Sequence, residues 1–113
     1  MQRLITLLEE FRKIDPEMPL QTATTFLLVS EHSERDNGIC VKDLAQLLGI
    51  SSAAASRNVA KLSKVGVKSQ QGHGLVEARE DPMYRVRKTV HLTPQGERVI
   101  RTLEELMNVY KTA

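Results

Sequence analysis

The sequence predicts a mainly α-helical fold with a small β-hairpin wing, arranged as a winged helix-turn-helix between two terminal helices. Two helical patterns, residues 41–48 and 51–65, are separated by a turn that contains Gly49, which is the arrangement of a helix-turn-helix unit. Two strand-like segments, 75–79 and 85–92, follow and form the predicted wing. Amphipathic helical stripes occur before and after this core.

The length and composition indicate one soluble domain. A chain of 113 residues fits a single domain, and 41% hydrophobic with 27% charged residues argues against disorder. We expect the winged helix-turn-helix core at about 20–92, with flanking helices at about 2–14 and 93–112. No run approaches the roughly 18 apolar residues of a membrane helix. The amphipathic first segment contains acids, unlike a secretory signal. We therefore expect a cytoplasmic protein with no membrane partner.

The first two helices are predicted from hydrophobic spacing and from prolines. The first has an apolar stripe of Leu4, Leu7, Leu8, Phe11 and Ile14. It should end at Asp15-Pro16, because the residue before a proline is pushed out of the α region. A second helix is predicted over about 19–32, followed by a polar turn at 33–38. Residues 39–41 are too few for more than a one-bridge strand.

The segment 51–65 is the part around which we expect the chain to be organised. Ser51 is a good N-cap. At 100° per residue the inward face consists of Ala55, Val59, Leu62 and Gly66. The outward face and its flanks are small or basic: Ser52, Ala53, Ser56, Arg57, Ala60, Lys61 and Lys64. No Asp or Glu occurs from Ser51 to Val76, whereas a solvated surface helix normally mixes acids with bases.

A loop, a hairpin and a last helix are predicted after this segment. Residues 66–73 have no clean period and are interpreted as a loop or a frayed helical extension. In the return strand, alternation places Val86, Val90 and Leu92 inward and leaves Arg85 and Arg87 outward. Thr93 and Pro94 suit the N-cap and first position of the last helix. The apolar stripe of that helix is Val99, Ile100, Leu103, Leu106, Met107 and Tyr110.

Positive charge is concentrated in the second half of the core. Residues 1–50 carry five basic and eight acidic side chains, residues 51–92 carry eight and three, and residues 93–113 carry three of each. This asymmetry is typical of a phosphate-binding face. We therefore interpret 51–65 as a helix that reads the major groove of double-stranded DNA, with the wing, 75–92, on the backbone or in the minor groove.

Residue types suggest roles on this face. Arg57 is the first candidate for a base contact, because Arg is the commonest side chain that reads guanine. Ser52, Ala53 and Ser56 would add small-residue and backbone contacts, including one from Ala53 to a thymine methyl group. Lys61 and Lys64 are expected on phosphates, which position a protein without reading sequence. The candidates in the wing are Arg79, Arg85, Arg87 and Lys88.

The residues from 21 to 99 resemble the MarR family of winged-helix transcriptional regulators. The resemblance is carried by VKDLAQLLGIS at 41–51, the pair Ser56-Arg57 with Leu62, GLVEAREDP at 74–82 and VHLTPQGE at 90–97. It implies a homodimer formed by the first and last helices, with two reading helices in successive major grooves of a pseudo-palindromic operator. It also favours a repressor over an activator.

The sequence departs from the family pattern in three places. An extra segment, 66–73, precedes the Gly-Leu-Val strand. Tyr84 and Val86, with Arg85 between them, occupy wing positions where the family tends to carry Asp and Arg. The last helix is followed by little further sequence, so we expect a reduced dimerisation region.

Other functions find less support in the sequence. There is no nucleophile–base grouping and no phosphate loop, so we expect no catalytic residues, no cofactor and no enzyme. One Cys and three scattered His do not form a metal site. Cys40 is interpreted as a buried structural residue, because a reactive thiol needs a positive, accessible environment and only Lys42 is near it in sequence.

Two alternatives remain open at this point. The rival hypothesis is a winged-helix protein-interaction module that binds an acidic partner through the same basic face. A small-molecule effector, to which many members of the MarR family respond, has no supporting pattern of polar residues in this sequence.

Overall fold

The computed structural model describes residues 1–35, 37–66, 71–80 and 88–108, except for the side chains of residues 34 and 35. Within these residues the chain forms five helices and three strands. In chain order they are α1 (Gln2–Ile14), α2 (Leu20–Arg35), β1 (Ile39–Cys40), α3 (Val41–Leu48), α4 (Ser52–Leu62), β2 (Val76–Glu80), β3 (Lys88–Leu92) and α5 (Pro94–Asn108). The strands form an antiparallel sheet in the order β1-β3-β2. The predicted fold class is confirmed.

The core lies where α2, α3 and α4 meet one face of the sheet. Its side chains with essentially no exposure include Phe26, Val29, Leu44, Leu62, Leu75 and Val90. Full burial of a side chain of this size stabilises a protein by about 1.5–3 kcal/mol. The end of α1 joins this core through Phe11, whose ring lies 6.2 Å from that of Phe26 in an edge-to-face arrangement.

The second helix is longer than predicted. It begins at Leu20 and continues to Arg35, through residues that the sequence pattern assigned to a polar turn. Charged residues such as Glu and Arg are good helix formers, so they extend this helix where the pattern suggested a turn. The backbone reverses at Asn37 (φ 57°) and Gly38 (φ 105°), where the predicted Asn-Gly breaker lies. Ser33 Oγ, in the added turn, accepts a 3.1 Å hydrogen bond from Leu92 N–H of β3.

The predicted end of the reading helix at residue 65 is wrong, because α4 ends at Leu62. Ser63 is extended (φ −85°, ψ 176°), and its hydroxyl donates to Ala60 O at 2.8 Å. Gly66 takes the left-handed φ of 72° and donates its N–H to the same carbonyl at 3.0 Å. These bonds satisfy the helix end, so Lys64 lies in a turn and Gly66 is buried there rather than on a helix face.

The described part of the inserted segment folds back on the end of α4. Gly72 N–H donates to Lys64 O (3.4 Å), His73 N–H to Lys61 O (3.0 Å) and Leu75 N–H to Leu62 O (2.7 Å). A Cβ at Gly72 would lie 1.6 Å from a backbone oxygen of Ser63, so this close approach requires glycine. Residues 71–74 are irregular, as the loop interpretation predicts, and residues 67–70 lie outside the described part.

The sheet and the last helix largely agree with the prediction. Val90 and Leu92 face the core as expected, whereas Val86 lies outside the described residues. On the face of β3 opposite Val90 and Leu92, His91 is only 7% exposed because its ring packs against Gly38.

Thr93 Oγ1 accepts a 3.1 Å hydrogen bond from Gly96 N–H, which confirms it as the N-cap of α5. Ile100 and Leu103 of the predicted stripe are buried. Tyr110 lies outside the described residues.

Candidate nucleic-acid interface

The turn between α3 and α4 fixes how α4 is presented. Gly49 adopts a left-handed φ of 67°, and its N–H bonds to the end of α3. Ile50 N–H donates to Ala45 O at 3.0 Å. Ser51 then caps α4, since its Oγ accepts from Ala54 N–H at 3.1 Å. The beginning of α4 is therefore held by local hydrogen bonds that sequence alone could indicate.

One face of α4 is buried and the opposite face is exposed to solvent. Ala55, Val59 and Leu62 are buried as predicted, and Ala55 has no exposed surface, so the helix lies close to its neighbours. We call the exposed set the reading face: Ser52, Ala53, Ser56, Arg57 and Lys61. At 1.5 Å per residue this face extends about 14 Å along the helix, which is comparable with the roughly 12 Å width of the major groove.

The reading face carries positive charge that is not neutralised locally. Arg57 and Lys61 are four residues apart, about one helical turn, and both are exposed. Neither makes an ion pair with any side chain in the described part of the chain. Lys64 is also exposed, but the turn at Ser63 displaces it from the line of the other two.

Asn58 is a buried polar residue that the sequence analysis missed. It lies on α4 between the reading face and the apolar face and is only 5% exposed. Its Oδ1 accepts from Thr22 Oγ1 at 2.9 Å, and its Nδ2 donates to Gln21 Oε1 at 2.9 Å. Both partners lie in the first turn of α2, at sequence separations that no local pattern reveals.

Two of the four predicted wing cations, Arg79 and Lys88, lie among the described residues. Arg79 is exposed but pairs with Glu77, whose Oε1 accepts from Arg79 Nε at 2.9 Å and from Nη2 at 2.5 Å. Residues two apart on a strand share a face, so the sequence contained a signal for this pair. Lys88 is exposed at the start of β3, opposite Glu80. Arg85 and Arg87 lie outside the described residues.

His91 introduces a titratable group at the base of the wing. Burial lowers the pKa of its imidazole, the positive charge of Arg79 lowers this pKa further, and Glu77 opposes the shift. The ring Nε2 lies 2.8 Å from Thr89 Oγ1. Cys40, in the neighbouring strand, is buried as expected.

The described residues offer little for other chemistry. Among them, no group of three or more His, Cys, Asp or Glu is arranged to hold a metal ion. No helix in this part of the chain is long and apolar enough to span a membrane. An open cleft of about 750 Å³ lies between the end of α4, β2 and the start of α5. Its charged lining residues are two cations, Lys64 and Arg98, and one carboxylate, Glu77.

Several solved structures superpose on this chain at low sequence identity. The MepR–DNA complex of S. aureus superposes with a TM-score of 0.71 at 17% identity, over 97% of this chain and 77% of that one. The regulator Tm0710 of Thermotoga maritima gives 0.62 at 19%, over 96% and 70%. A structure of MarR gives 0.56 at 19%, over 93% and 77%. No protein-family model and no curated protein matches the sequence. The chain has a MarR-like winged-helix fold.

Proposed function

We propose that this chain is a sequence-specific, double-stranded DNA-binding transcriptional regulator. The reading face is the observation that carries the proposal. It is exposed, small or basic, and its two cations have no carboxylate partner among the described residues. Small side chains allow the helix backbone to approach base edges, and unpaired cations replace the counterions of phosphates. The S. aureus protein of the same fold was solved as a DNA complex, which supports this use of the fold.

Within this proposal the exposed residues have separate tasks. Arg57 reads a base, and Ser52, Ala53 and Ser56 make close contacts beside it. Lys61 and Lys64 bind phosphates, which set position but not sequence. Lys88 and Arg79 belong to the wing, where Arg79 must exchange Glu77 for a phosphate, and Arg85 and Arg87 are proposed to join them. The proposed action is repression in the cytoplasm by occupation of the operator, which a reporter assay tests.

We propose that the chain acts as a homodimer through its terminal helices. Leu4 and Ile5 of α1 are 51% and 53% exposed, and Leu8 and Met107 are also exposed, although α1 and α5 pack against each other. A second copy would cover this apolar surface by a two-fold contact. The symmetry predicts half-site centres about 10–11 bp apart. Ile5→Glu should give monomers in sedimentation experiments and weaken binding to a full site more than to a half-site.

The proposal is tested by selection of bound sites from random duplex DNA, followed by salt titration. A DNA reader should enrich a pseudo-palindrome and lose affinity steeply with salt, because each neutralised phosphate contributes a slope of about −0.9 in log–log form. Weak binding without sequence preference, together with tighter salt-dependent binding to an acidic protein, would favour the rival protein-interaction function.

A further inference from the structure

The amide of Asn58 is buried beside the reading face and is hydrogen-bonded to α2. Burying an amide without hydrogen bonds is unfavourable, so a polar residue on a packed helix face needs its partners. Here both ends of the amide are satisfied, and both bonds lead to consecutive residues of α2, Gln21 and Thr22. Thr22 is itself 1% exposed, so this part of the cluster lies inside the protein.

The apolar contacts of α4 define its rotation less sharply than the Asn58 amide does. Ala55, Val59 and Leu62 are held by burial, which is a non-directional force. The Asn58 amide, in contrast, must place its oxygen and its nitrogen on two separate partners at 2.9 Å. Hydrogen bonds weaken steeply when distance or angle departs from the optimum. The amide therefore restricts both the rotation of α4 about its axis and its sliding along α2.

A small rotation would matter at the reading face. Arg57 directly precedes Asn58, so the two side chains project from α4 about 100° apart and move together. The end of a side chain lies about 5–6 Å from the helix axis, so a rotation of about 20° moves it by about 2 Å. A base contact made at about 2.9 Å does not survive such a displacement. Phosphate contacts by long, flexible lysines tolerate it better.

We propose that Asn58 is a positioning residue: its amide, held by Gln21 and Thr22 of α2, sets the rotation of α4 so that Arg57 reaches a base edge. The proposal rests on the function proposed above and adds the source of its sequence specificity. Loss of this rotation should weaken sequence-specific binding but not non-specific binding, because only the base contact requires it.

Three variants separate positioning from simple stability. Thr22→Val keeps the buried shape but removes the hydroxyl that donates to Asn58. Thr22→Ser keeps the hydroxyl but removes a buried methyl group, so it is the control that loses stability without losing the hydrogen bond to Asn58. Asn58→Leu removes both hydrogen bonds and keeps a side chain of similar size, but it leaves the buried Thr22 hydroxyl without its acceptor, so it should lose stability as well.

The measurement is the ratio of affinities for the selected duplex and a scrambled duplex at one salt concentration, together with the melting temperature. Thr22→Val and Asn58→Leu should lower this ratio by about tenfold, the value of one base contact, and leave scrambled-duplex affinity within about twofold. Thr22→Ser should keep the ratio despite its lower melting temperature. The proposal is overturned if Thr22→Val keeps the ratio, or if the ratio simply follows melting temperature across the variants.

Failure of the DNA-binding function itself would look different. In that case the unmodified chain would show no preference for any duplex. Amide hydrogen exchange then tests the positioning role without DNA, because exchange in α4, relative to the other helices of the same variant, should accelerate in Thr22→Val but not in Thr22→Ser. Equal protection of α4 in both variants and the unmodified chain would overturn it.

Discussion

Replacing Gly96 by Ala tests the packing that joins the wing to the last helix. A Cβ at this position would lie 2.1 Å from Leu75 O and 3.3 Å from Leu92 Cδ2. Since even close carbon–oxygen contacts are about 3.3 Å or longer, α5 must move by about 1 Å. The same oxygen of Leu75 accepts a 3.0 Å hydrogen bond from Thr93 N–H, so the movement strains the connection at which α5 begins.

The expected cost follows from these contacts. Overpacking costs about 1–3 kcal/mol and the strained hydrogen bond about 1 kcal/mol, whereas Ala gains up to about 1 kcal/mol over Gly in helix propensity. We expect Gly96→Ala to lose about 1–3 kcal/mol of unfolding free energy, which corresponds to about 4–13 °C in melting temperature for a domain of this size.

Urea unfolding and thermal melting at one protein concentration measure this loss, since dimer formation would make stability concentration-dependent. Gly49→Ala is the matched control. Gly49 has a left-handed φ of 67° but no atom within 4 Å of an added Cβ, so only backbone strain of about 1 kcal/mol is expected. A Gly96→Ala variant within about 0.5 kcal/mol of the original chain, or more stable than Gly49→Ala, would refute the packing argument.

Two further predictions concern the cap of α4 and the base of the wing. Ser51→Ala should cost about 1 kcal/mol in urea unfolding by removing the acceptor of Ala54 N–H, and Ser51→Asp should restore most of it; equal stability of all three chains would contradict the cap. Because the folded state favours neutral His91, its stabilising contribution is complete above the ordinary pKa of 6.5 and is lost as pH falls below it. Between about pH 7.5 and 5, the range in which His titrates, the unfolding free energy should therefore fall less steeply in His91→Gln than in the unmodified chain. An unchanged slope would contradict this account.

Local chemistry made much of the fold predictable. Hydrophobic spacing identified the inward residues Ala55, Val59 and Leu62 of α4, and the cap preferences of Ser51 and Thr93 identified where two helices begin. These signals are contained within a few residues of sequence, so they do not require knowledge of tertiary contacts.

The features that the prediction missed depend on distant partners. The burial of Asn58 follows from Gln21 and Thr22, which are 37 and 36 residues away. His91 is buried because the turn at Gly38 covers its face of the sheet. The end of α4 is different, because the hydrogen bonds that close it run from Ser63 Oγ and Gly66 N–H to Ala60 O and are local. The Arg79–Glu77 pair likewise had a local signal that could have been used.

The affinity of Arg57→Ala for the selected duplex and for its scrambled counterpart tests the central claim most directly. If α4 reads DNA through this side chain, affinity for the selected duplex should fall by about 1–3 kcal/mol, and the preference over the scrambled duplex should relax. Lys61→Ala is the control, and it should weaken both duplexes alike and reduce the salt slope by about 1. If Arg57→Ala binds the selected duplex with unchanged affinity and preference, α4 does not read DNA in the way that its exposed face indicates.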